Sequence, residues 1–184
     1  MDKNKLLYWL DRYNKEEDRY SSDLEKKLGY KVRINKKLTK EDLRKIIEWK
    51  FRGRLIGRRA RTLNLIEETE DSEIQAIITR ALDCNTDEVR LKKLMDIGGI
   101  GIALASVILT FYNPNEYCVF DIHVYDELFH TNSKTRPKDL FSNINYYLQI
   151  LEKVRHLAKE NGLSVREVEK ALFKKNLEEG KSEP

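Results

Sequence analysis

Apolar residues recur at intervals of three and four along most of the chain, and this spacing constrains the fold more than any other feature. Such a repeat places apolar side chains on one stripe of a helix, whereas a half-buried strand would need strict alternation. The 184 residues include only 8 glycines and 3 prolines, so few positions interrupt the pattern. The sequence therefore predicts an all-α fold of helices joined by short turns.

Punctuating residues place the first helix and the stretch that follows it. Residues 3–28 form a charged segment with Leu6, Leu7, Leu10 and Tyr13 on one stripe, and Gly29 is expected to end that helix. The stretch Tyr30 to Ile34 contains aromatic and β-branched residues, which are typical of an extended segment.

Capping patterns and apolar stripes place the later helices. Thr39, Ser72 and Ser164 each begin a pattern in which Asp, Gln or Glu follows three residues later, which is typical of a helix start. Further helices are predicted over residues 87–95, 102–112 and 144–161, and Gly162 is expected to end the last of these. The tail after Asn176 has no apolar face to bury, so we expect it to fray.

Composition indicates a soluble globular protein, with 36% charged and 40% hydrophobic residues. No apolar run is long enough to span a bilayer and no secretory signal is visible, so an intracellular protein is expected, cytoplasmic or nucleoid-associated in a prokaryote, without a membrane partner. The two cysteines, Cys84 and Cys118, are too few to hold a zinc ion or an iron-sulfur cluster, and no catalytic metal is expected. The net charge of +4 is compatible with a polyanionic partner.

A glycine-rich bend between two predicted helices is the most informative local feature. Gly99 and Gly101 flank Ile100, and a Cβ at either glycine is expected to oppose the sharp turn, whereas Ile100 is expected to pack between the helices. The backbone N–H groups that follow lie at the start of a helix, where free donors and the positive end of the dipole favour a phosphate. A bend that only packs two helices, with glycines serving as caps, is the alternative.

The segment from 88 to 128 resembles the helix-hairpin-helix DNA glycosylases of the endonuclease III superfamily, the HhH-GPD family of base-excision repair. The hairpin would occupy residues 88–112. In that family an essential Asp follows the last hairpin glycine by about twenty residues, and here Asp121 follows Gly101 within the apolar segment Val119 to Val124. The resemblance implies that the partner is double-stranded DNA with a damaged or mismatched base, and that the protein is a monomer.

The resemblance implies a catalytic role for Asp121. Hydrolysis of an N-glycosidic bond builds positive charge on the sugar, and a carboxylate beside the anomeric carbon stabilises that charge and orients water. Asp121 also directly precedes an apolar-periodic stretch, where Asp is a favoured N-cap, so a purely structural role is the alternative. His123 is a candidate for a supporting position next to it.

The chain departs from the family pattern in two places. Relatives that also cleave the strand carry a Lys two residues after the last hairpin glycine, where this chain has Ala103. Unless another amine substitutes, the departure predicts a monofunctional glycosylase that leaves an intact abasic site, or else a relative that has lost catalytic activity altogether. Many relatives also hold an iron-sulfur cluster near the C-terminus, but no cysteine follows Cys118, so no cluster is expected. By resemblance, carbonyl oxygens of the hairpin bind a monovalent cation, and no other cofactor is required.

A basic segment precedes the bend and is typical of a surface that follows a phosphate backbone. It has no acidic residue, although an ion-paired solvent-exposed helix face is the alternative for any charge run. Its six cations are Lys50, Arg52, Arg54, Arg58, Arg59 and Arg61.

A glycosylase must move its target base out of the duplex into a pocket that commonly contains aromatic side chains. Trp9, Trp49, Tyr112 and Tyr125 are candidates, although each also lies on or beside an apolar stripe that would bury it in the core.

We expect two helical lobes, one built from residues 1–29 and 116–184 and the other from 30–115. The DNA cleft would lie between them. A non-catalytic DNA-binding module of a repair complex is the alternative function.

Overall fold

The computed structural model describes residues 1–17, 19–51 and 56–180, and only the backbone of residues 19, 20, 56 and 58. Throughout these ranges the regular secondary structure is helical, which confirms the all-α prediction. The helices are α1 (Lys3–Glu16), α2 (Arg19–Asn35), α3 (Lys40–Phe51), α4 (Ile56–Glu68), α5 (Asp71–Leu82), α6 (Asp87–Leu94), α7 (Ile102–Tyr112), α8 (Ile122–Phe129), α9 (Ile144–Asn161) and α10 (Val165–Glu179).

Helix α7 lies at the centre of the core. Every residue from Leu104 to Phe111 is buried, as expected for a helix that is apolar on all sides. Helices α2, α3 and α6 pack against it. The small buried residues Ala105 and Ser106 leave room for this close packing. The bounds of α7 match the predicted helix over 102–112.

The two ends of the chain pack together, because α10 contacts α1 as well as α8 and α9. Elsewhere α3 packs on α4, and α5 packs on α6. The division into two lobes at residues 29/30 and 115/116 stays a prediction. The first of those boundaries falls inside the continuous helix α2.

The predictions for residues 3–34 were wrong in detail. The first helix ends at Glu16, and α2 runs through Gly29 and through the expected extended stretch Tyr30 to Ile34. Val32 is fully buried with Leu24 and Leu28 on a helical repeat, so packing outweighs the strand preference of the local sequence. Helix α2 continues through Gly29, and the glycine instead allows α2 to pack closely on α7. A Cβ there would lie 3.0 Å from the carbonyl oxygen of Phe111.

Two of the three capping patterns are confirmed. The Thr39 hydroxyl accepts from the Asp42 N–H at 3.3 Å, and the Asp42 carboxylate accepts from the Thr39 N–H at 2.8 Å. Ser164 and Glu167 form a complete capping box at the start of α10. Ser72 is not a cap, because α5 already begins at Asp71 and its N-cap residue is Glu70.

The start of the tail is helical, which corrects the expected fraying directly after Asn176. Helix α10 continues to Glu179, and the Glu178 carboxylate binds the Arg12 guanidinium at 3.0 Å, which ties the end of α10 to α1. Earlier in the chain, Gly162 ends α9 in a left-handed conformation as predicted. Along the described part of the chain, no helix combines the length and the apolar character needed to cross a bilayer.

Candidate functional site

A cavity of about 780 Å³ lies beside the N-terminus of α7. Its walls come from the end of α3, from α4, from the glycine bend (residues 95–101) and α7, from the start of α8, and from the segment before α9. The lining includes Lys50, Phe51, Arg61, Thr62, Leu65, Gly99, Gly101, Ile102, Ala103, Leu104, Asp121, Ile122, His123, Lys138, Phe141 and Ser142. The structure thus brings the glycine bend and Asp121 to one cavity.

Asp121 is the N-cap of α8, which confirms the capping prediction. One carboxylate oxygen, Oδ1, accepts from the His123 N–H at 3.0 Å. The other, Oδ2, accepts from the ammonium of Lys50 at 2.9 Å. The side chain is 22% exposed and lines the cavity, so capping leaves the carboxylate accessible from that space. Its catalytic role stays a prediction.

The chain before Asp121 is held rigidly against α7 and α9. The Phe120 N–H donates to the Ser106 hydroxyl at 2.8 Å, and that hydroxyl donates to the Ala103 carbonyl at 2.7 Å. The Tyr147 hydroxyl donates to the Cys118 carbonyl at 2.9 Å. Because Phe120 is itself fully buried, the position of Asp121 is fixed by the core.

Lys50 lies in the last turn of α3 and points its ammonium at Asp121. Besides the ion pair, its Nζ donates to the Phe120 carbonyl at 3.0 Å, and its side chain is only 12% exposed. The sequence places Lys50 in the basic segment, whereas the structure gives its ammonium a specific carboxylate partner inside the cavity. A contact from Lys50 to phosphate stays a prediction.

Opposing effects act on the pKa of the Asp121 carboxyl. Burial raises that pKa, but the nearby charge and hydrogen bond of Lys50, together with the His123 N–H, lower it by more. The net result is a pKa below the usual value, so the carboxyl group is an anion at neutral pH.

The N-terminus of α7 carries free donors beside this anion. Gly101 is the N-cap and supplies no capping side chain, and the first turn has no acidic residue. Among the described residues, none accepts from the N–H groups of Gly101, Ile102 or Ala103. Helices α8, α9 and α10 are capped instead by the side chains of Asp121, Asn143 and Ser164. The start of α7 therefore has unsatisfied donors and the positive end of a helix dipole.

The two glycines of the bend have different roles. Gly99 has φ +83°, and a Cβ there would lie 3.0 Å from the Thr62 carbonyl oxygen of α4, so only glycine fits. We also expected a Cβ at Gly101 to oppose the turn, and that prediction was wrong. Gly101 has a φ of −95°, which suits any residue, and an added Cβ would meet nothing within 4 Å. Ile100 is 4% exposed, as predicted, whereas Gly101 is exposed. The bend thus rests on α4 through Gly99 and is open at Gly101.

Carbonyl oxygens of the bend are available for the monovalent cation that the family resemblance implies. Ile97 O accepts from the Ile100 N–H at 3.0 Å, whereas the carbonyl oxygens of Gly98 and Ile100 accept no hydrogen bond from any described residue. Oxygen ligands of this kind suit a hard cation. Cation binding stays a proposal.

The basic segment is described only in part. Arg52 and Arg54 lie outside the described residues, as does the side chain of Arg58. Arg59 is half-buried, and Arg61 is exposed and lines the cavity. Among the cations of this segment whose side chains the structure describes, Lys50 and Arg61 line the cavity, whereas Arg59 does not.

His123, the candidate for a supporting position next to Asp121, lines the cavity. Its Nδ1 lies 2.9 Å from the Asn176 Oδ1, and its ring packs edge-on against Phe173. Trp49 packs edge-on against Phe111, and the 5% exposed Tyr125 stacks on Phe129, so neither side chain lines the cavity.

The remaining aromatic candidates also lie outside the cavity, and two aromatic residues that line it were missed. Trp9 is a core residue, and Tyr112 is half-buried against the core. The missed residues are Phe51 and Phe141, and Phe141 is 41% exposed and contacts the Phe120 ring. Phe141 lies in an irregular segment without a helical repeat, so the sequence carries no signal for its position.

No protein-family model, curated protein or solved structure matches this chain.

Proposed function

We propose that the protein is a DNA glycosylase that hydrolyses the N-glycosidic bond of a damaged or mismatched base. The observation that carries the proposal is the position of Asp121, an anionic carboxylate that shares a cavity with the free N–H groups at the start of α7. A phosphate on those donors would bring a neighbouring deoxyribose to the carboxylate.

The size and lining of the cavity support binding of an extruded base. Small-molecule sites commonly have volumes of about 300–1,000 Å³, and this cavity of about 780 Å³ falls within that range. Phe51 and Phe141 supply aromatic surface, and His123 supplies polar atoms. An extruded base would stack on such rings and form hydrogen bonds through its edge.

In this proposal Asp121 acts on the sugar. As the bond to the base breaks, positive charge develops at C1′, and the anion stabilises it and orients the attacking water. Lys50 and the His123 N–H hold the carboxylate in one orientation, so little reorganisation is needed during the reaction.

One observation favours the alternative, a DNA-binding module without catalysis. Both carboxylate oxygens of Asp121 already accept a hydrogen bond, Oδ1 from the His123 N–H and Oδ2 from the Lys50 ammonium. An Asp that only caps a helix and neutralises a lysine would have the same contacts. The module would bind DNA with a strong salt dependence and leave every base in place.

The deciding experiment offers the protein duplexes with uracil, alkylated purines, oxidised bases or mismatches, and then reveals abasic sites with alkali. Asp121→Asn should lower the activity by about a hundredfold or more, the usual contribution of a positioned acid or base. Asn is an equally good N-cap, so the variant should fold and keep its DNA affinity. Asp2→Asn, at the cap of α1, is the matched control and should retain full activity.

Two outcomes contradict the proposal. Salt-dependent DNA binding without any released base would favour the binding module. Undiminished activity in Asp121→Asn would remove Asp121 from the reaction.

A further inference from the structure

Thr62 supplies the cavity with a buried hydroxyl group that has no partner among the described residues. The residue lies on α4, is only 6% exposed and lines the cavity. No described residue forms a hydrogen bond with its hydroxyl, and the oxygen atom is not sealed from solvent. Most buried polar groups in proteins are hydrogen-bonded, because a buried hydroxyl without a partner costs free energy. The position of Thr62 therefore points to a ligand inside the cavity.

Thr62 lies directly against the glycine bend. A Cβ at Gly99 would lie 3.0 Å from the Thr62 carbonyl oxygen and 3.3 Å from the Thr62 Cα. The free N–H groups at the start of α7 begin two residues later, at Gly101. Threonine hydroxyls and N–H groups at a helix N-terminus are both common donors to phosphate oxygens. The two kinds of donor can therefore share one phosphate group.

Two cations of the cavity wall favour a ligand with a strong negative charge. Arg61 and Lys138 are exposed and line the cavity, and neither forms an ion pair with a described residue. Asp121 is the one acidic residue among the described residues of the wall, and the Lys50 ammonium neutralises it at 2.9 Å. The wall therefore carries an excess of positive charge, which attracts an anion.

A terminal phosphate suits this position better than the backbone of a duplex. A phosphate monoester carries a charge of about −1.5 to −2 at neutral pH, whereas a phosphate within a DNA strand carries a single negative charge. The phosphates of a duplex also lie on its outer surface. The hydroxyl of Thr62 is almost fully buried, so a phosphate that enters the cavity together with a small ligand reaches it more directly.

We propose that the protein also acts on free 2′-deoxynucleoside 5′-monophosphates and hydrolyses their N-glycosidic bond. The 5′-phosphate would bind Thr62 and the start of α7, and the sugar would face Asp121. The base would lie against the rings of Phe51 and Phe141, which line the same cavity. The inference rests on the proposed function for the role of Asp121, but it requires no DNA.

The phosphate site and the carboxylate are joined by a short path of hydrogen bonds. The Phe120 N–H donates to the Ser106 hydroxyl at 2.8 Å, and that hydroxyl donates to the Ala103 carbonyl at 2.7 Å. Ala103 belongs to the first turn of α7, and Asp121 directly follows Phe120. The core therefore holds the two groups at a fixed separation beside one cavity, as a single nucleotide that contacts both requires.

The reaction is a hydrolysis with water as the only other reactant. The bond between C1′ and the base nitrogen breaks, and its electron pair leaves with the base. The oxygen of a water molecule forms a bond to C1′, while the Asp121 anion stabilises the positive charge on the sugar. One proton of that water ends on the base nitrogen. The products are the free base and 2-deoxyribose 5-phosphate.

The test compares each 5′-monophosphate with the nucleoside that lacks only the phosphate group. The full chain is incubated with the monophosphates of deoxyadenosine, deoxycytidine, deoxyguanosine, thymidine, deoxyuridine and deoxyinosine, and with the six nucleosides. Liquid chromatography measures the released base. We expect release from at least one monophosphate, and release from its nucleoside should be slower by about tenfold or more, because the hydrogen bonds to a charged group are lost.

Three variants make the test specific. Thr62→Val replaces the hydroxyl with a methyl group of similar shape and should slow release from the monophosphate by about tenfold or more. Its melting temperature without ligand should not fall, because the change removes an unpaired polar group. Thr62→Ser keeps the hydroxyl and should retain most of the activity. Thr79→Val is the matched control and should retain full activity, since the Thr79 hydroxyl donates to the Gln75 carbonyl at 2.9 Å outside the cavity.

The outcomes separate this inference from the proposed function. Base release from a monophosphate, but from none of the duplexes, supports the inference and removes the DNA glycosylase. Release from duplexes, but from no monophosphate, overturns the inference alone. Equal release from a monophosphate and its nucleoside, or full activity in a folded Thr62→Val variant, also overturns it.

Discussion

Alanine at Gly99 and at Gly101 should have very different effects on stability, although the two glycines are two residues apart. Gly99 has φ +83°, and its added Cβ would lie 3.0 Å from Thr62 O and 3.3 Å from Leu65 Cβ. A left-handed backbone costs an L-residue about 1–2 kcal/mol, and forcing extra volume into a packed contact costs about 1–3 kcal/mol. Gly99→Ala should therefore lower the free energy of unfolding by about 2–5 kcal/mol.

Gly101→Ala is the matched control, because it makes the same chemical change without the strain. Its Cβ would meet nothing within 4 Å. Alanine is a poorer N-cap than glycine, but it also reduces the freedom of the unfolded chain, and the two effects oppose each other. The free energy of unfolding should change by less than about 1 kcal/mol.

Urea unfolding followed by the fluorescence of Trp9 and Trp49 measures both variants. We expect a lower urea midpoint for Gly99→Ala with an unchanged slope. The strain lowers the stability but does not change the surface area that unfolding exposes. Equal midpoints for the two variants would show that the bend does not rest on α4 as described. A large loss for Gly101→Ala would contradict the open position of that residue.

Two further predictions test the capping patterns and the ion pair of the cavity. Ser164→Ala removes a complete capping box and should lower the free energy of unfolding by about 1 kcal/mol. Ser72→Ala should have little effect, because α5 begins before Ser72. Equal losses for the two variants in urea unfolding would contradict this prediction. The second concerns pH. The pKa of Asp121 is lowered in the folded protein, so its ionised form contributes stability above the unfolded value of about 3.9, and this contribution is lost as the pH falls through the lower folded value. Below about pH 4, the melting temperature of the unchanged protein should therefore fall more steeply than that of Asp121→Asn, and parallel curves would contradict the depressed pKa.

Local signals in the sequence predicted much of the helical framework. The apolar run and the glycines around it fixed the bounds of α7, and Ser164 with Glu167 marked the start of α10. Asp121 was predicted as an N-cap from its position before an apolar stripe. These features depend on residues within one or two helical turns, which is why a single sequence suffices to find them.

The failures occurred where distant residues decide the local structure. Tyr30 to Ile34 has strand-forming side chains, yet Val32 packs into the core as part of a helix. Gly29 resembles a helix end, yet it is needed because α2 passes close to the carbonyl of Phe111. Neither contact is visible in the neighbouring sequence, and tertiary packing outweighs local preference in both places.

The candidate site was predicted only in outline. The glycine bend and Asp121 were identified from their spacing, and the structure brings them to one cavity. The pairing of Lys50 with Asp121 was not predicted, because 71 residues separate the two in sequence. The basic segment favoured a phosphate contact for Lys50. The carboxylate partner of Lys50 depends instead on how α3 packs beside α7.

The most direct test of the account is the structure of the protein bound to a duplex with a stable abasic-site analogue. We expect a phosphate oxygen within hydrogen-bonding distance of the N–H groups at residues 101–103. We also expect the sugar of the analogue in the cavity, with its C1′ facing Asp121. A duplex bound elsewhere, or a sugar outside the cavity while the phosphate contacts form, would contradict it.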